Sequence, residues 1–318
     1  GVSFKGETLS AYIAPKEKGN VLIVNGFTRV SGPEWWSDSI YGGIRPASHT
    51  VPYGKGVNYI GEVYDFDSRH DWVTDDNCGW GMCHSNHMDH PTVGNTFDYP
   101  AVHGAAILKA GYAFISCSDE AVESGRVTLN NYQTVDLILG KEYQTKMGRG
   151  GVTPLQYKTF SQPMQEAITA YCSQGGNIFV SGAFVGTDLW DNRLATSEEV
   201  DKKFATDILK YKWRVGQAAL KGKVKSVASP FPMLTGNYTY HNELNEESYV
   251  VEAPDAIETA SKDAYTVMRY SENNLSAGVA YQGDYKTYIM GFPFETIRTE
   301  AERETLMKAI LTFFNSGK

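Results

Sequence analysis

The sequence has no run of about 18 apolar residues, so nothing in it reads as a membrane-spanning helix. Cationic charge is short. The 29 Lys and Arg against 37 Asp and Glu leave a formal net charge of −8. An acidic surface repels phosphate backbones and anionic headgroups, which argues against a general nucleic-acid or membrane-surface binder. Cysteine is sparse, four in 318 residues, too few for a disulfide scaffold. Cys78 and Cys83 lie in a Gly-rich loop and could close a small disulfide, while Cys117 and Cys172 sit in apolar periodic segments and read as buried thiols. No apolar leader follows Gly1-Val2-Ser3, and a start on Gly reads as a processed chain. The Cys78–Cys83 loop tilts the expectation to a secreted, periplasmic or cell-surface protein. Pro/Ser-rich linkers and internal repeats are absent too. With 42% hydrophobic residues the chain is too apolar for disorder, and one domain over 1–318 is expected.

What is present is unevenly placed. Six of the seven histidines (His49, His70, His84, His87, His90 and His103) fall between residues 49 and 103. Four of the six tryptophans, Trp35, Trp36, Trp72 and Trp80, crowd the same third of the chain.

Around that third the pattern is regular. Residues 20–26, 113–117, 135–140 and 177–182 are short apolar runs of the kind found in strands buried on both faces. Between them lie helical patterns through Ala101–Ala110, ended by Gly111, and over 162–173, ended by Gly175-Gly176. A further helix is expected near 198–211. Strands alternating with helices imply a mainly parallel sheet covered on both faces. Residues 222–290 read instead as short alternating strands, including 264–270, 278–281 and 287–291, which extend the sheet in antiparallel fashion. A last helix spans 300–314. Residues 27–99, between the first strand and the first helix, form a long insertion rich in Gly, Asp, His and aromatics. It leaves the carboxyl end of a strand, where α/β sheets gather their ligands.

Two segments line up with a known pattern. Gly182-Ala183-Phe184-Val185-Gly186 has the spacing of the G-x-C-x-G nucleophile elbow, and Gly291-Phe292-Pro293-Phe294-Glu295 resembles the G-x-Q-F-H-P-E closing motif. With the strand–helix order, these resemble the class I glutamine-amidotransferase-like fold over residues 18–27 and 100–318. The resemblance implies a three-layer, flavodoxin-like α/β sandwich. Phe184 stands where the nucleophilic cysteine would be, Pro293 and Phe294 where the histidine would be, and only Glu295 remains. A phenyl ring does no covalent chemistry, so glutamine hydrolysis is excluded. Val21–Pro33 with Asp98–His103 also resembles exported bacterial proteins labelled xanthan-lyase-like.

The candidate catalytic residues are His103, Cys117, Glu142 and Asp98. His103 follows the start of a helix, whose N-terminus would keep an imidazole neutral and fit to act as a base, with Cys117 as a nucleophile beside it. The plain alternatives are a satisfied interior histidine and a buried thiol. Asp98 precedes Pro100 as an N-cap would, and Glu142 could serve as an acid/base carboxylate or pair near Lys141. Asn25, Arg29, Ser181 and Asp188 at strand ends, with Asp67 and Trp72 in the insertion, are candidates for binding substrate. Rings stack on sugar faces and carboxylates bind hydroxyls, although tryptophans also anchor long loops. Cys78, Cys83, His84, His87, Asp89 and His90 are all zinc-ligand types, but their spacing matches no standard finger. No metal or cofactor is assigned. The expected function is action on a polysaccharide or peptidoglycan-related substrate, by hydrolysis or elimination. The alternatives are a non-catalytic glycan-binding module and a zinc-dependent hydrolase.

Overall fold

The computed structural model describes residues 9–13, 18–27, 98–146, 155–192, 198–243 and 247–317, with four short strands between residues 34 and 82. Arg29, Asp67, Trp72 and the Cys78–His90 loop lie outside the described residues.

Ten strands form one open sheet. In chain order its members are β1 (Ala11–Tyr12), β2 (Asn20–Asn25), β3 (Ala113–Ser118), β4 (Thr134–Gly140) and β5 (Asn177–Gly182). The remainder are β7 (Lys223–Ser226), β8 (Asn237–Thr239), β10 (Ala264–Tyr270), β11 (Ser276–Gln282) and β12 (Lys286–Met290). Their spatial order is β1-β3-β2-β4-β5-β12-β11-β10-β7-β8. The five central strands, β3, β2, β4, β5 and β12, run parallel, and the flanking pairings are antiparallel. Two more strands, β6 (Tyr211–Val215) and β9 (Ala256–Thr259), pair separately.

The parallel strands are apolar on both faces because helices cover both. On β2, Val21 and Ile23 join the core that holds Ile107 of α1 (Tyr99–Lys109) and Leu306 and Ile310 of α6 (Glu300–Asn315). Leu22 and Val24 join the other core, with Val122 of α2 (Asp119–Glu123) and Met164 and Ile168 of α3 (Gln162–Ser173). Gly104 lets α1 sit close on the sheet, since a Cβ there would stand 2.2 Å from the Phe114 ring. The Ser161 hydroxyl caps α3, and Thr299 caps α6. Lys286, buried, donates to the Phe313 carbonyl at 2.7 Å, a cation on the carboxyl end of α6.

The expected strands at 20–26, 113–117, 135–140 and 177–182 and the helices at 162–173 and 300–314 form within a residue or two. The helix expected over 198–211 is shorter. α5 (Glu199–Lys203) passes into a π-helical turn over Phe204–Leu209 and stops at Lys210, whose φ is +67°. The sequence reading did not place α2, β1 or the four-residue α4 (Thr187–Trp190), all too short to show a period.

Candidate functional site

The carboxyl ends of the parallel strands carry three polar groupings. The first surrounds the elbow-like turn after β5. Phe184 is buried there with its ring against Tyr143, centroids 5.2 Å apart. The backbone amides of Gly186 and Thr187, which open α4, donate to Asp255 Oδ2 at 2.6 and 2.7 Å. The Thr187 hydroxyl and Trp213 Nε1 reach Asp255 Oδ1. Burial pushes the Asp255 carboxyl up to about 7, against the hydrogen bonds from Thr187, Gly186 and Trp213. Asp188 is held similarly. It accepts from the amides of Gln144 and Thr159, the Thr159 hydroxyl and the Asn192 amide group. A carboxylate so engaged and 4% exposed ties loops together, a role beside the expected contact with substrate.

The second grouping centres on His103. Its Nδ1 lies 2.8 Å from Asp136 Oδ2 on β4, and its Nε2 lies 3.2 Å from Glu295 Oε2. Glu295 sits in the 3-10 turn that follows β12, and its Oε1 accepts from the Tyr249 hydroxyl at 2.5 Å. The imidazole is fully buried, against the Phe294 ring at 4.6 Å. Burial alone would lower its pKa, but the charge and hydrogen bond of Asp136, then those of Glu295, raise it from 6.5 to about 9. The expectation from sequence is a neutral base; the two carboxylates push the ring the other way, towards an imidazolium with both nitrogens facing carboxylate oxygens. They outweigh the helix terminus and are invisible to local reading. The expected Cys117–His103 pair does not form either. Cys117 packs in the α2–α3 core while His103 lies on the opposite face, because alternate residues of β3 point to opposite sides. Asp98 takes the N-cap position of α1 with φ −102° and ψ 19°, and its side chain makes no capping hydrogen bond.

The third grouping is acidic. Asp119 opens α2 directly after β3, with Glu120 and Glu123 on the same short helix, and Glu142 follows β4 with 4% exposure. Burial first, then Glu120, Glu142 and Glu123, push the Asp119 carboxyl well above its usual range. Glu123 accepts a hydrogen bond from Ser161. Lys141, next to Glu142, turns elsewhere, reaching Glu252 at 2.7 Å and the Val250 carbonyl at 2.8 Å. A carboxyl whose pKa is pushed up beside other carboxylates is the arrangement that divides acid and base roles.

Asn25 and Ser181 are fully buried near the ends of β2 and β5. Both stand next to Ile138 in register, on the same face of the sheet. Above them, Phe27, Tyr99 and Tyr249 form an aromatic layer with centroid separations of 5.1 to 5.6 Å. Gly140 admits it, with φ +48° and space for a Cβ only 2.1 Å from the Phe27 ring. Among the described residues, no group of three or more His, Cys, Asp or Glu could hold a metal ion. No helix of the described chain is long and apolar enough to cross a membrane.

Sequence reasoning missed Asp119, Asp136, Tyr249 and Asp255. Asp136 did leave a signal, as the one charged residue inside Val135–Leu139, and a buried charge in a strand demands a partner.

The chain matches no protein-family model and no curated protein. Among solved structures it is similar to the β-galactosidase of Rahnella sp. R3, with a TM-score of 0.45 and 14% identity over 70% of this chain. The exo-β-1,4-mannosidase Op5Man5 of Opitutaceae bacterium strain TAV5 gives 0.39 and 11% over 73%. A putative GMP synthase component from Thermoplasma acidophilum gives 0.39 and 10% over 68%. The chain spans 28% of the β-galactosidase, 34% of the mannosidase and 88% of the synthase component. Likeness at this level leaves activity to be argued from the site.

Proposed function

We propose that this chain is a glycan-directed enzyme, a hydrolase or lyase working outside the cell, on a three-layer, glutamine-amidotransferase-like scaffold. Its elbow has become a packed turn. One observation carries the reading: at the carboxyl end of β3, burial first and then the charges of Glu120, Glu142 and Glu123 push the Asp119 carboxyl well above its usual range. Asp119 would protonate the leaving glycosidic oxygen, and Glu142 would act as the base that takes a proton from water or from the sugar ring. Arg29, Asp67 and Trp72 from the insertion are proposed to contact the sugar, and Asn25 and Ser181, buried at the strand ends, to support that edge from beneath. His103 supports the site through the fold.

A second reading is a glycan-binding module without turnover. It is favoured by the Asp255 network and by the His103 ring, whose polar atoms are bonded within the protein. The two readings separate on a panel of polysaccharides and peptidoglycan fragments, assayed for new reducing ends and for the ultraviolet absorbance of unsaturated sugars. Product is expected, and D119N and E142Q should each lower turnover by about 100-fold or more. Saturable binding without product would replace the first reading with the second. Neither binding nor product would end both.

A further inference from the structure

Residues 247–252 form no helix or strand, yet side chains fasten them across the strand ends on the α1 face. The Tyr249 hydroxyl holds Glu295, and the Lys141 ammonium holds the Val250 carbonyl and the Glu252 carboxylate. The Tyr249 ring covers Phe27 and Tyr99, with Lys141 Nζ 5.8 Å from its centroid. The Val251 amide donates to the His241 carbonyl at 2.8 Å. Behind Tyr249 lies His103, and the groups facing its ring come from four elements. β4 gives Asp136, the turn after β12 gives Glu295 and Phe294, and β5 gives Phe179. The fourth, segment 247–252, acts through Tyr249 on Glu295, and Tyr99 of α1 acts on Tyr249. The one cation bonded to the two carboxylates is the imidazolium.

We propose that segment 247–252 is a strap latched over the carboxyl edge by the proton on His103, and that loss of this proton to solvent base releases it and uncovers Phe27 and Tyr99. A neutral ring can donate only one of its two hydrogen bonds. The two carboxylates then share a buried site without a counter-ion, and water must reach one of them. Among the described residues, the other neighbours of His103 lie on β4, on β5 and in the turn after β12. Water therefore enters where Tyr249 swings away from Glu295. The latch is independent of the role given to Asp119 and stands or falls without any assay of turnover.

Amide hydrogen exchange of the 247–255 region, corrected for intrinsic rate and followed from about pH 7 to about pH 10, tests this. Protection in the strap should fall with a midpoint near pH 9 while β4 and β5 stay protected. E295Q keeps an acceptor for Tyr249 but removes one of the two charges that hold the proton. Its midpoint should move down by about one pH unit, a tenfold change in proton affinity. Should E295Q not fold, Y249F removes the link and leaves the ion cluster whole, so its strap should exchange fast at every pH. Strap protection that stays flat to about pH 10, that is lost only together with β4 and β5, or that is unaltered in both variants would overturn the proposal.

Discussion

Two polar clusters lie on opposite faces of the same parallel strands and obey opposite rules. Around His103, the imidazole sits between two carboxylates at 2.8 and 3.2 Å, brought by β4 and by the turn after β12. Around Asp119, the groups that act most strongly are Glu120, Glu142 and Glu123, all of the same sign. A buried cluster of opposite charges holds elements in place, and breaking it costs more than forming it gained. A cluster of like charges at a strand end raises a carboxyl's pKa at some expense to the fold, as reacting sites often do. Histidine, the residue type most often catalytic, is here in the cluster of opposite charges.

The largest effect expected is from His103→Ala, which leaves Asp136 and Glu295 buried without their cation and should cost about 3–5 kcal/mol in denaturant unfolding. A variant as stable as the parent would erase the distinction between the clusters. Alkaline pH should do part of the same work. His103 has a folded pKa raised from 6.5 to about 9, so the stability it lends is fully present below 6.5 and is lost as pH rises through 9. Urea unfolding across that window should show a fall on the order of 3 kcal/mol. Stability unchanged over the same range would mean that the imidazole is neutral.

Gly140→Ala tests the aromatic layer beside the His103 cluster. The new methyl meets the Phe27 ring at a backbone φ of +48°, so a loss of about 1–3 kcal/mol is expected, read as a lower midpoint at unchanged slope. The smallest effect on stability should come from Asp119→Asn. A carboxyl whose folded pKa is raised costs the fold nothing below its unfolded pKa and costs increasingly as pH rises from there through the folded value, so at neutral pH the amide should be neutral or stabilising by about 1 kcal/mol at most. Clear destabilisation by D119N would place Asp119 with the structural residues.

The parallel core was legible because its strands are continuous apolar runs and its helices end on Gly111 and Gly175, signals that act within a few residues. The site was legible only as a list of places. Asn25, Ser181, Glu142 and Asp188 were correctly assigned to strand ends, yet nothing local separates Asp188, whose oxygens bind Gln144, Thr159 and Asn192, from Glu142. His103 and Cys117 looked like partners because both fall near the first helix and the next strand. The two-residue alternation of β3 then put them on opposite faces.

By itself, then, the sequence determined the order of the main elements, the change from parallel to antiparallel strands, and the absence of a nucleophile at Phe184. Each depends on period, turn residues or the identity of one side chain. Only the tertiary structure decided that the pKa values of His103 and Asp119 are pushed up. Both follow from charges brought together from distant positions: Asp136 and Glu295 lie 33 and 192 residues from His103. Protonation is set by distance and burial, which exist only once the chain has folded.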